Sequence, residues 1–160
     1  MPALLEVGFW CKDEADLLDG RPHPRTLQEP VWFAANADLA ASVVDYLRTQ
    51  GCVESYEMGY SFCRLGDACP PKSMGACTMT DGVYCWPEGY AHYLDVHCVR
   101  PPQDLVDHIL AQPRTLPPSR LDLWDHATHQ RISMPLAMQS MVLANTTLTV
   151  REETPSCAVS

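Results

Sequence analysis

The sequence predicts an α+β fold, with a small antiparallel sheet and several helices, on three observations. An amphipathic helical period runs between Asn36 and Gly51, a strict alternation follows from Ser55 to Phe62, and Asp81-Gly82 stands between two β-forming runs. Helical and alternating periods in separate stretches are the pattern of segregated helices and strands. At 160 residues the chain is expected to form one domain over residues 1–150, large enough to bury a core without staples. Residues 151–160 are polar and read as a mobile C-terminal tail.

The elements follow in order. Leu4, Leu5, Val7, Phe9 and Trp10 suit a strand, and Arg21 to Pro30, with three prolines, reads as loop. Asn36 is a good N-cap, Asp38 complements the helix dipole and Gly51 suits the position after the last turn. Between them Leu39, Val43 and Leu47 recur every four residues with Ala40 and Val44 beside them, which makes an amphipathic helix. Tyr56, Met58, Tyr60 and Phe62 then alternate with polar residues, the pattern of a half-buried strand.

An irregular stretch, residues 64–76, leads to Thr78-Met79-Thr80 and Val83-Tyr84-Cys85-Trp86 flanking Asp81-Gly82, a hairpin signal because glycine tolerates positive φ. Pro87 suits the first turn of a helix, which carries His92 and His97 and must end before Pro101-Pro102. Tyr90, Leu94 and His97 are expected to face inward. A further helix over residues 102–111 would bury Leu105, Val106, Ile109 and Leu110. Beyond Pro113, Pro117 and Pro118, residues 136–144 read as a Met-rich helix and residues 146–150 as a strand.

Charge and composition narrow the function classes. Twenty acidic against eleven basic residues give a net charge of −9, and no Lys/Arg cluster reverses it locally. Such a field repels phosphate backbones, so nucleic acid is not an expected partner. No run approaches the ~18 apolar residues of a membrane helix, and the first twenty residues lack a secretory pattern. A cytoplasmic chain keeps thiols reduced, so the eight cysteines read as metal ligands or small buried hydrophobes.

Five of those cysteines and two histidines fall between Cys63 and Cys98. Loop cysteines, a β-hairpin, then a helix with the remaining ligands is the order of a treble-clef zinc finger, here a unit over residues 52–100. Zinc takes four thiolate or imidazole ligands in a tetrahedron. Cys63 and Cys69 are the candidate loop ligands, His92 and His97 the helix ligands, and Cys77 or Cys85 could replace Cys69. Five residues turn an ideal helix by roughly 500°, so His92 and His97 share a face only if the last turn tightens, as the nearby Pro101 allows. A zinc knuckle would place its second thiolate at residue 66, but that residue is Gly66.

The run Thr80-Asp81-Gly82, Trp86-Pro87-Glu88-Gly89, His92-Tyr93, His97 and Val99 to Pro101 resembles a group of small uncharacterised proteins. They share a TDG…WPEG…HY…H…P core preceded by C-x₂-C. The resemblance covers about a quarter of the chain and implies a shared fold, with no activity to transfer.

The sequence therefore points to a non-enzymatic, zinc-stabilised module that binds a protein partner. The alternative is a small metal- or thiol-dependent enzyme that uses Cys63 or Cys69 as nucleophile, His92 as base and Asp95 as its orienter. A pocket around Trp86 is the lesser reading, since Trp86 and Tyr90 suit core anchors. His23, His108, His126 and His129 read as surface residues. Separately, Cys157-Ala158-Val159-Ser160 fits a farnesylation signal, relevant only in a eukaryote. One lipid chain with acidic neighbours would give weak, reversible membrane contact at most.

Overall fold

The computed structural model describes residues 3–13, 15, 19–66, 69–112 and 121–132. Expectations for residues 136–144, 146–150, the tail 151–160 and Cys157 lie outside these described residues. Four helices and a small mixed sheet make an α+β fold. Strand β1 is Leu5–Glu6, β2 Cys52–Tyr56, β3 Cys77–Thr80, β4 Tyr84–Pro87 and β5 Leu121–Asp122. Their spatial order is β1-β4-β3-β2-β5, while β6 (Trp124–Asp125) and β7 (Gln130–Arg131) pair separately.

The expected antiparallel sheet is found only at the centre. The pairs β2/β3 and β3/β4 are antiparallel, whereas both edge strands run parallel to their neighbours, β1 to β4 and β5 to β2. Parallel pairing needs a crossover rather than a hairpin. β5 follows β2 only after β3, β4 and two helices, and β1 pairs with β4 from a distant part of the chain.

The helices lie on one face of the sheet. Helix α1 is Pro30–Ala35, α2 Ala37–Thr49, α3 Tyr90–His97 and α4 Gln103–Ala111. The helical period of α2 is realised with Val43, Val44, Tyr46 and Leu47 buried. Asn36 occupies its N-cap position, but the side chain donates to Trp32 O at 2.8 Å and so closes α1, which the proline-rich sequence concealed. Trp86 is fully buried between the sheet and α2, its indole N–H donating to Leu47 O at 3.2 Å. It anchors a core with Tyr90, Leu94, Leu105, Val106 and Ile109. Truncating such a residue typically costs about 3–5 kcal/mol through lost transfer energy and the cavity left behind.

Three local expectations are corrected. Pro87 does not open α3; it ends β4 opposite Thr78, and the helix begins at Tyr90. Glu88 makes this turn, accepting the Ala76 N–H at 3.0 Å, while a Cβ at Gly89 would press on Met74. Leu110 faces outward, 57% exposed, because the apolar stripe of α4 narrows to Leu105, Val106 and Ile109. The strand expected to run to Phe62 stops at Tyr56, and Tyr56, Met58, Tyr60 and Phe62 are exposed. A β-bulge between Val53 and Ser55 shifts the register so that Ser55 opposes Thr78 and Tyr56 opposes Cys77. Two hydrogen bonds continue past the strand, Glu57 N to Ala76 O and Ser61 N to Gly75 O.

The hairpin itself is present, with a three-residue loop, Asp81 to Val83, and Gly82 at φ +95°. Asp81 organises it: Oδ1 accepts the N–H groups of Val83 and Tyr84, and Oδ2 contacts Tyr46 Oη at 2.8 Å and His108 Nε2 at 2.7 Å. His108 is thus a partly buried partner of a buried carboxylate, not a surface residue. His23 is buried as well, its Nδ1 accepting the Arg25 N–H at 3.3 Å. His126 is exposed and contacts Asp122 at 2.9 Å, which supplies the carboxylate partner the sequence did not reveal.

Candidate metal centre

Three side chains, Cys63, Cys69 and His92, converge beside α3, and His97 touches Cys63 but lies outside their group. Cys63, Cys69 and His92 form a group whose ligand atoms all lie within 4.8 Å of one another, a cluster that could hold a metal ion. Cys69 Sγ is 3.6 Å from His92 Nε2, and Cys63 Sγ is 3.4 Å from His97 Nε2. The two imidazole centroids are 5.1 Å apart.

The helix brings both histidines together by widening its last turn. Tyr93 O accepts both the Cys98 N–H and the Val99 N–H, five and six residues on, and Cys98 adopts φ +53°. A wider turn uses more residues per revolution, which closes the roughly 140° that would separate the two rings on an ideal helix. The segment ahead of α1 clamps this end: Gln28 Nε2 donates to His97 O at 2.9 Å and Glu29 N to Cys98 O at 2.8 Å.

The thiol side is built by a tight turn at Cys63. Leu65 N–H points at Cys63 Sγ at 3.4 Å, and Gly66 sits at φ +79° with its N–H toward Cys63 O. Arg64 N donates to Tyr93 Oη at 2.9 Å, tying the turn to the residue after His92. That hydroxyl is pushed up to about 12, by burial first and by the neighbouring Cys63, so it stays a neutral phenol. Gly66 replaces the second knuckle cysteine, and the chain reaches Cys69 before a thiol returns to the cluster. Cys63, Met74, Tyr93 and Val99 form an apolar cluster of their own around it.

The other thiols are placed elsewhere. Cys77 belongs to the main core, and Cys85 is buried in β4. Burial, with help from Glu6, Glu54 and Asp81, pushes the Cys85 thiol up to about 11, and burial beside Asp81 does the same to Cys52. Among the described residues neither Cys77 nor Cys85 joins the metal-ligand group. No disulfide links the seven described cysteines. Asp95, the expected orienter of His92, is engaged by Arg48 at 3.0 Å on the helix surface.

The Cys63, Cys69 and His92 group could hold a metal ion, and thiolates and imidazoles are ligand types that zinc takes. With Zn–S near 2.3 Å and Zn–N near 2.1 Å, the sulfur–nitrogen edge of a tetrahedron is about 3.6 Å. The observed 3.4 and 3.6 Å contacts lie on that edge. No family model, curated protein or solved structure matches the chain. Among the described residues no helix is long and apolar enough to cross a membrane.

Proposed function

We propose that Cys63, Cys69, His92 and His97 hold one zinc ion, and that the metal is structural in a treble-clef-like unit. The observation that carries this reading is the pair of sulfur–nitrogen contacts at tetrahedral edge length, made by residues from two separate elements. Zinc there would join the 63–69 loop to the end of α3, a joint otherwise made by one small apolar cluster. Four protein ligands leave no open position for a substrate. None of the four lines the large cleft beside the site, which favours a stabilising role over catalysis. On this reading the chain is a non-enzymatic module that binds a protein partner.

The enzyme alternative needs an open coordination position or an accessible thiolate. Cys63 is 7% exposed and Asp95 is held by Arg48, which leaves half-buried Cys69 as the nucleophile candidate, without the expected orienter for His92. X-ray absorption and metal analysis of the purified protein test the proposal. About one zinc per chain with two sulfur and two nitrogen ligands is expected, and chelation should lower the melting temperature because structural zinc binding is coupled to folding. Metal-free protein with an undiminished melting temperature overturns it. A site with a bound water in place of one imidazole would favour the enzyme.

A further inference from the structure

The sheet face opposite the helices forms the floor of a cleft of about 560 Å³. Cross-strand pairing builds that floor. Glu6 lies opposite Cys85, and Thr78 lies opposite both Pro87 and Ser55, so these side chains share one face. All five line the cleft. The bulge in β2 makes this possible, because a one-residue shift sends Ser55, and with it Glu57, to the cleft side. A volume of this size is typical of small-molecule sites.

The cleft carries charges of both signs, Glu6 and Glu57 against Arg21 and Arg64. Two guanidinium groups stand on phenyl rings, Arg21 over Phe9 at 5.5 Å and Arg64 over Phe62 at 5.0 Å, and all four residues line it. Arg21 makes only long contacts, 3.8 Å to Glu6 and 4.0 Å to Asp19, and Arg64 makes no ion pair among the described residues. Glu57 is held in place by Thr78, whose hydroxyl donates to its Oε1 at 2.9 Å. Trp10 and Tyr93 add aromatic surface, their rings meeting edge-on at 5.5 Å. A simple anion would meet Glu6 and Glu57, and a simple cation would meet Arg21 and Arg64. A ligand bearing both charges matches both sets, and its apolar part can lie on the aromatic wall.

We infer that this cleft binds a small zwitterion of the α-amino-acid class with an aromatic or apolar side chain, its carboxylate on Arg64 and its ammonium on Glu57. None of the four metal-ligand candidates lines the cleft, although Arg64 and Tyr93 on its wall are neighbours of Cys63 and His92.

Calorimetric titration of the purified protein with L-phenylalanine, 3-phenylpropionate and phenethylamine tests the inference. The two analogues each lack one charge. Phenylalanine should bind saturably, and each analogue should bind about ten-fold more weakly or worse, as expected for loss of one charged hydrogen bond. Arg64→Gln should weaken phenylalanine and 3-phenylpropionate but leave phenethylamine unchanged. Glu57→Gln should weaken phenylalanine and phenethylamine but leave 3-phenylpropionate unchanged. Glu57 is exposed and Arg64 half-buried with its Nε enclosed, so circular dichroism checks that the variants fold. No saturable binding of the three ligands at about 10 mM overturns the inference. Equal affinity for all three, or phenylalanine binding unaffected by both substitutions, overturns it too.

Discussion

Cys63 Sγ and His97 Nε2 meet at 3.4 Å across a separation of 34 residues. The contact joins a loop turn to the widened end of α3, and neither element alone could orient both atoms. A lone thiol–imidazole hydrogen bond could explain one such contact. A second contact of the same kind, Cys69 Sγ to His92 Nε2 at 3.6 Å, lies beside it. One metal ion shared by them, as proposed above, would account for both.

His97→Ala and Cys69→Ser are therefore each expected to lower zinc affinity by about a hundred-fold or more, since even partners beyond the ligands are worth 10–100-fold. Cys77→Ser and Cys85→Ser should retain the metal, although they perturb the core. Mass spectrometry of native protein gives the stoichiometry for all four variants. Metal lost from Cys85→Ser but kept in Cys69→Ser would assign the ligands wrongly.

Asp81 is the second point of leverage. Its carboxylate is only 6% exposed and serves the hairpin loop, Tyr46 of α2 and His108 of α4 together. Removing it leaves buried donors without an acceptor, so Asp81→Ala should cost about 2–4 kcal/mol in urea unfolding. Asp81→Asn keeps an acceptor for the two loop N–H groups and should cost less. Equal losses for both variants would show that the loop bonds contribute nothing.

How legible these features were in the sequence depended on how local their causes are. The α2 period and the Asp81-Gly82 hairpin follow from short-range pattern and are readable, and the nearness of Cys63, Cys69 and His92 is suggested by their clustering in the sequence. The bulge at Val53/Ser55 was not, because register is settled by β3 and not by β2's own alternation. Pro87 was misplaced since an edge position of β4 and a helix start both tolerate a missing N–H. His108 was taken for a surface residue because its partner lies 27 positions away. Of the two histidines only His92 joins the described ligand group, and the helix end widens where a tightened last turn is expected.

Glycine substitutions should separate close packing from open loop. Gly8 has φ +75°, and a Cβ there would stand 2.4 Å from the buried Tyr90 ring. Gly8→Ala combines backbone strain with overpacking and should cost about 2 kcal/mol or more. Gly59 meets nothing within 4 Å and has no positive φ. Gly59→Ala should stay within about 0.5 kcal/mol of the parent. Chemical denaturation of the two variants reads the difference directly.

The buried thiols make the fold sensitive to alkali. Burial, then Asp81, raises Cys52 from 9.0 to about 11, and burial, then the nearby carboxylates, raises Cys85 equally. In the unfolded chain these thiols lose their protons near 9, while the folded chain holds them until about 11. The folded state therefore binds more protons in that window, and stability falls as pH rises through it. Their contribution is fully present below pH 9. Tyr93, raised from 10.0 to about 12 chiefly by burial, extends the fall upward. Urea midpoints measured between pH 7 and 11 should be flat up to about 9 and then decline. The Cys52→Ala, Cys85→Ala double variant should show a shallower decline above pH 9. A decline of unchanged slope in that variant would place the alkaline sensitivity on other groups.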